Sequence, residues 1–300
     1  MANNETMIVG CGYVGRRVAA LEHAQGNTVI CLSRTEHTCN GLRNLGYRVV
    51  AADLDVPASI DIQGSSPDIL YYFAPPPNSG TTDPRLGAFL ERIASQRAPE
   101  RLVYISTSGV YGNCDGNWVD ESHPANPQSD RAVRRWSAEQ NVQAWCAERG
   151  VRAVILRVPG IYGPGRLPVD RLRQGLPVVR REQSPFSNRI HVDDLAAICV
   201  AAGHVPSACD VYNVSDGQPT TMTDYFLKAA DALDLPHPPE ISMAEARERF
   251  SPAMLSFLEE SRRLDNRKML VELGIQLRYG ELERGLTASI RADAAPRGTT

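Results

Sequence analysis

The chain has 300 residues, with 32 Lys and Arg against 35 Asp and Glu for a net charge of −3. That is enough for one large α/β domain with a satellite lobe rather than three small domains. Charges of both signs are interspersed, which gives no basic footprint for nucleic acid and no polybasic patch for a membrane, and no apolar run approaches the ~18 residues of a spanning helix.

Met7-Ile8-Val9 is the first predicted strand, and it runs into the G-x-G-x-x-G turn Gly10-Cys11-Gly12-Tyr13-Val14-Gly15. A helix is expected over Arg16 to His23, with Val18, Ala19, Leu21 and Ala24 as its apolar residues. Glycines at a strand-to-helix turn point to a dinucleotide. Gly10 permits the tight turn, Gly12 lets backbone approach a pyrophosphate, Gly15 lets helix and strand pack closely, and the helix N-terminus offers N–H groups to the anion. Cys11 reads either as a thiol activated by that N-terminus or as a small turn residue.

Thr28 to Leu32 is the second predicted strand, followed by Ser33-Arg34 where an NAD-preferring site places an acidic residue for the ribose 2′-OH. A hydroxyl and a forked, permanently charged guanidinium suit a 2′-phosphate, and Arg16 or Arg17 would add a second cation, so NADP is favoured over NAD. The third strand is Tyr47 to Ala51, after which Asp53-Leu54 is placed to meet the adenine. The fourth is Ile69 to Phe73, after which Ala74-Pro75-Pro76-Pro77 is expected along the cofactor's middle.

A helix from Asp83-Pro84 to Gln96, a fifth strand from Arg101 to Ser106, a long helix from Ser129 to Glu148 and a sixth strand from Val151 to Val158 complete the rhythm of a doubly wound parallel sheet. The Pro and Gly cluster over residues 159–165 marks the exit from that sheet. The expected organisation is a Rossmann α/β domain over residues 1–165, completed by about 187–213, with a smaller C-terminal substrate lobe over 166–186 and 214–300; Ala294 to Thr300 is expected to fray. Seven cysteines without a C-x-x-C pair indicate neither a disulfide framework nor a metal site and are read as small buried hydrophobes. Met1 to Glu5 lacks a signal pattern, and the expected location is cytoplasmic.

With the glycine turn, four further segments occur in a familiar order: Val103-Tyr104-Ile105-Ser106-Thr107-Ser108-Gly109-Val110-Tyr111-Gly112, Leu156 to Gly165, Asn188-Arg189-Ile190-His191-Val192-Asp193-Asp194-Leu195, and Tyr212 to Gly217. The chain thereby resembles extended short-chain dehydrogenases/reductases of the NAD-dependent epimerase/dehydratase superfamily, from about Met7 to about Leu286. The resemblance implies a cleft between the Rossmann domain and the lobe, a small-molecule substrate, and a homodimer built on the two helices near residues 83–96 and 129–148. It also implies a Ser or Thr hydroxyl after the fifth strand, a position taken by Thr107, and a Tyr-x-x-x-Lys pair on the long helix.

That pair is replaced. In the register set by Pro127 and Ala138-Glu139, Arg131 stands where Tyr belongs and Arg135 where Lys belongs, and no Tyr lies between Tyr111 and Tyr162. A guanidinium stays protonated below about pH 12 and cannot cycle a proton as a phenol does. Arg135 can still donate to the nicotinamide ribose, and Arg131 reads as a cation for an anionic substrate group or as a plain surface residue. The Asp-Glu pair of sugar-nucleotide dehydratases is also missing, with Ser108 and Gly109 in its place. Tyr111, Tyr162 and His191 are the candidate replacement acids, each with a structural reading beside it. The chain resembles the atypical, YeeZ-like branch. Two readings stay open: an NADP-dependent oxidoreductase or epimerase acting on a small polar or anionic substrate through Thr107 and Arg131, or a catalytically inactive NADP(H)-binding protein that acts through a partner.

Overall fold

The computed structural model describes residues 4–208 and 210–295, so Cys209 and the tail beyond Ala295 lie outside the described residues. Seven strands form the central sheet: β1 (Glu5–Val9), β2 (Thr28–Ser33), β3 (Arg48–Ala51), β4 (Ile69–Tyr72), β5 (Arg101–Thr107), β6 (Arg152–Val158) and β7 (Asp210–Asn213). Their order is β7-β6-β5-β4-β1-β2-β3 and every pairing is parallel, the doubly wound α/β arrangement expected from the sequence. Parallel strands covered on both faces are apolar at successive positions, because side chains alternate between two cores. Ile8, Tyr71, Val103 and Leu156 enter one core; Met7, Val9, Leu70, Leu102 and Ile155 enter the other.

Helices α1 (Gly15–Ala24) and α5 (Val192–His204) cover the first face through Val18, Ala19, Leu195 and Ile198. Between them in the chain come α2 (Glu36–Asn44), α3 (Pro84–Ile93) and α4 (Asp130–Arg149). The second face is covered by α3 and α4 through Leu86, Phe89, Val142 and Trp145. Asp83 caps α3 as its side chain accepts from Leu86 N at 3.1 Å, with Pro84 at the first position.

One face of α1 departs from expectation. Leu21 is 38% exposed whereas Glu22 is 0% exposed. Three donors make that burial tolerable: Tyr71 Oη and Asn27 Nδ2, each at 2.5 Å, and His204 Nε2 at 3.0 Å.

Beyond β6 the chain leaves the sheet for the short parallel pair Gly160–Tyr162 and Arg189–His191. It then returns through α5 to β7 before building the rest of the lobe. After β7 come α6 (Met222–Ala232), α7 (Met243–Arg249), α8 (Pro252–Leu258), α9 (Arg267–Glu272) and α10 (Leu282–Ala294). Capping boxes Thr221/Asp224 and Ser242/Glu245 start α6 and α7. Small apolar clusters around Tyr162, Ala229 and Leu286, and around Val179, Ile241 and Leu258, hold α6, α7, α8 and α10 together, whereas α9 packs Met269 into the core on the first face of the sheet.

Candidate active site

The three motif glycines are required for different reasons. Gly10 has φ +96°, and a Cβ there would lie 2.6 Å from Ala74 N; a Cβ on Gly15 would lie 2.5 Å from Gly10 O. Both are demanded by the fold itself. Gly12 is different: a Cβ there would meet nothing within 4 Å. The protein gives no packing reason for that glycine, and the space above it faces a cavity of about 1000 Å³. Among the described residues the N–H groups of Tyr13, Val14 and Gly15 take no hydrogen-bond partner. An open glycine beside unpaired helix N-terminal donors fits a pyrophosphate.

The same cavity is walled by Gly10, Cys11, Gly12, Tyr13, Val14 and Gly15 at the turn, by Ser33 and Arg34 after β2, by Asp53 and Leu54 after β3, and by Ala74 and Pro75 after β4. It therefore lies at the C-terminal ends of the central strands. Arg34 is exposed and, among the described residues, makes no side-chain hydrogen bond or ion pair. Arg17 is engaged instead: Nε meets Asp193 Oδ1 at 2.8 Å and Nη1 donates to Tyr13 O at 2.9 Å. This corrects the expectation of Arg17 as a free second cation and leaves Arg16, exposed on the same wall. Arg17 and Arg166 also flank the Tyr13 ring, at 4.5 and 4.3 Å. Sequence reading missed Asp55 and Arg85, which form a two-pronged pair at 2.6 Å on this wall and hold the Asp55 carboxyl below its ordinary range. Cys11 is not activated: its hydrogen bond with Cys31, and then burial, push its thiol well above the usual range.

A second cavity of about 390 Å³ adjoins the first, with Ile161 on both walls. On α4, Arg131 and Arg135 stand four residues apart on one helix face, one to each cavity. Arg135 Nη1 donates to Ile105 O at 3.0 Å and Tyr104 Oη at 3.1 Å, which fixes it against β5. Arg131 Nη1 donates to Ser256 Oγ at 2.9 Å, and its guanidinium lies 3.6 Å from the Phe257 ring centroid; burial lowers its pKa. Thr107 ends β5 on the second wall, its Oγ1 accepting from Gly109 N at 3.2 Å and its hydroxyl hydrogen left to donate elsewhere.

The candidate replacement acids are placed otherwise. Tyr111 is corrected: it lies on neither cavity, is 0% exposed, and donates to Asn213 Oδ1 at 2.8 Å. Burial pushes its phenol up to about 12. Its role is to tie the turn after β5 to β7. His191 is buried and caps α5, its Nδ1 accepting from Asp193 N at 3.2 Å, and burial holds its pKa below the ordinary histidine value. Tyr162 reaches the second cavity, but its hydroxyl is buried against Gly285 with no hydrogen-bond partner among the described residues, and burial raises its pKa far above the phenol range. Sequence reading missed Phe186, Arg189, Tyr225, Phe226, Glu260 and Arg262, which also line this second wall.

Similarity to known proteins agrees with this geometry. A model of the NAD dependent epimerase/dehydratase family matches residues 6–215. Protein YeeZ of Escherichia coli K12 is 26% identical over 246 residues, covering 77% of this chain and 84% of that protein. Two other curated relatives align over only 45% and 33% of their own lengths. Among solved structures, a conserved protein of unknown function from Silicibacter pomeroyi DSS shares 31% identity with TM-score 0.82, covering 98% of this chain and 100% of that one. The UDP-glucose 4-epimerase of Thermus thermophilus, solved in complex with NAD, shares the fold at 20% identity and TM-score 0.78, covering 97% and 99%. A glycine turn at the first βα junction, a doubly wound sheet and a family match over most of the chain lead to one conclusion: this chain belongs to the NAD-dependent epimerase/dehydratase family of extended short-chain dehydrogenases/reductases.

Proposed function

We propose that the chain is an NADP(H)-dependent oxidoreductase or epimerase with an atypical active site, acting on a small polar or anionic molecule. The observation that carries this reading is the contact of the two cavities at Ile161, with Arg135 on one wall and Thr107 and Arg131 on the other. The bound dinucleotide supplies hydride transfer at its nicotinamide. Gly12 leaves room for its pyrophosphate, the unpaired N–H groups of Tyr13, Val14 and Gly15 receive the charge, and Arg135 donates to its ribose. Arg34 offers a guanidinium to a 2′-phosphate beside Ser33, which supports NADP although the Thermus neighbour is complexed with NAD. Thr107 donates its hydroxyl hydrogen to a substrate oxygen while Gly109 N–H holds its Oγ1 in place.

Neither Arg131 nor Arg135 can exchange a proton near neutral pH, so the substrate's proton passes through Thr107 and water. The inactive, partner-directed reading is less well supported, because the second cavity is open rather than filled by the side chains around it. The test is incubation of the full chain with NADPH and a metabolite extract. For an oxidoreductase the expected result is loss of nicotinamide absorbance that depends on the extract, and for an epimerase an isomerised product at constant absorbance; Thr107→Val suppresses either at unchanged NADPH affinity. Intact NADPH binding without turnover across carbonyl and sugar-nucleotide panels favours the second reading.

A further inference from the structure

The second cavity holds more positive charge than its surroundings neutralise. Arg189 is only 8% exposed, yet it meets neutral groups: Nη1 donates to Thr220 Oγ1 at 3.1 Å and Nη2 to Ser187 Oγ at 2.9 Å, with its guanidinium 4.1 Å from the Tyr225 ring centroid. The acids that act on it through charge, Asp216 and Asp224, form no ion pair with it. Asp224 pairs with Arg181 at 2.5 Å, and Asp216 accepts from Gln218 N at 2.9 Å. Burial pulls the Arg189 pKa down to about 10, which still leaves a cation at neutral pH.

Of the three guanidiniums on this wall, Arg262 is balanced by Glu260 at 2.8 Å. Among the described residues, Arg131 and Arg189 have no ion-pair partner. A buried charge without a counter-ion is costly, and a bound anion removes that cost.

The remainder of the wall is mostly apolar, with Phe186, Tyr225 and Phe226 beside the thioethers of Met222 and Met254. Its amide is already engaged, Asn188 Nδ2 donating to Arg262 O at 3.0 Å and Oδ1 accepting from Leu264 N at 2.8 Å. A sugar nucleotide carries many hydroxyl and carbonyl groups that each need a partner once buried, and this wall has few to give. Taking the Thr107 cavity as the substrate site, as proposed above, we infer that its ligand is an organic carboxylate with an apolar, aromatic or alkyl body. Arg189 takes the acid group through its planar fork, Arg131 adds a second cation, and the aromatic and thioether side chains take the body.

Calorimetric titration of the full chain, with and without saturating NADPH, tests this with 3-phenylpropanoate, its neutral amide 3-phenylpropanamide, and UDP-glucose. The acid is expected to bind at least about tenfold tighter than the amide, the scale of one charge-assisted contact. Arg189→Gln should erase most of that difference. Because Arg189 also ties two hydroxyls and its loss can unfold the lobe, Arg131→Gln serves as the second variant, expected to weaken the acid and not the amide. The comparison of acid and amide on the unaltered chain requires no variant. Equal affinities for acid and amide, or tighter binding of UDP-glucose than of the acid, overturn the inference. NADPH affinity from the same titrations judges the cofactor reading separately: NADPH bound without an acid preference sinks the substrate class alone.

Discussion

Gly12 and Gly15 look equivalent in the motif, yet the space around them separates a ligand requirement from a folding requirement. A methyl on Gly15 meets Gly10 O, a backbone atom that cannot swing aside. Gly15→Ala should therefore destabilise the chain by about 1–3 kcal/mol, the usual cost of overpacking. A methyl on Gly12 meets only the cavity, so Gly12→Ala should leave unfolding within about 0.5 kcal/mol of the original while weakening NADPH binding about tenfold or more. Urea denaturation and cofactor titration of the two variants separate these effects. Equal NADPH affinity in Gly12→Ala removes the pyrophosphate from this turn. At the other end of the cavity, NADPH should bind tighter than NADH, and Arg34→Ala should reduce that preference about 10- to 100-fold, the range for a charge-assisted hydrogen bond. Equal affinities in the unaltered chain contradict the assignment of Arg34 to a 2′-phosphate.

Between elements, the join of α4 to the sheet rests on a buried ion pair. Glu139 is 0% exposed and Arg157 on β6 is 4% exposed; Arg157 Nη2 meets Glu139 Oε2 at 2.9 Å, and Ser106 Oγ on β5 donates to the same carboxylate. Glu139→Ala strands a buried guanidinium and should cost about 3–5 kcal/mol in urea denaturation, whereas the double replacement Glu139→Leu with Arg157→Met should recover much of the loss. A cost under about 1 kcal/mol for the single change means the pair is not structural. This join matters for function because α4 carries both Arg131 and Arg135 to their cavities. Strands β1 to β6 and helices α1, α3 and α4 were legible in the sequence because their signals are local: apolar runs, the glycine turn, Asp83-Pro84; the seventh strand was not read as one. Helix α2 was not, since only Cys39 and Leu42 of it are buried. The burial of Glu22 was not legible because its partners Tyr71 and His204 are 49 and 182 residues away. The first cavity was legible for the same local reason, being built from turns that directly follow strands. The second was not, because Arg189, Tyr225 and Phe257 reach Thr107 only through the folding of the chain beyond β6, and nothing in a linear pattern reveals that a guanidinium lacks a counter-ion.

At the scale of the whole molecule, stability should depend on pH through two buried groups near the junction of sheet and lobe. Asp216 follows β7 and is 7% exposed; its N–H donates to Arg189 O at 2.8 Å, and burial pushes its carboxyl up to about 7. An acid whose folded pKa is raised keeps its proton in the folded chain while the unfolded chain has lost it. From about pH 4 to about pH 7 folding therefore takes up a proton, stability falls as pH rises, and above pH 7 the loss levels off. Each pH unit is worth at most about 1.4 kcal/mol, so the full fall is a few kcal/mol. His191 acts in the opposite sense: burial holds it neutral when folded, so stability falls as pH drops through the ordinary histidine range near 6.5. Asp216→Asn keeps an oxygen for Gln218 N–H and removes the titration. It should gain about 1–4 kcal/mol on the unaltered chain at pH 8 relative to the difference at pH 5, while the acid limb set by His191 remains. Denaturation midpoints of both proteins at the two pH values check this; a difference that does not change with pH means that Asp216 ionises in the folded chain as it does in water, and that the junction beneath Arg189 is wet.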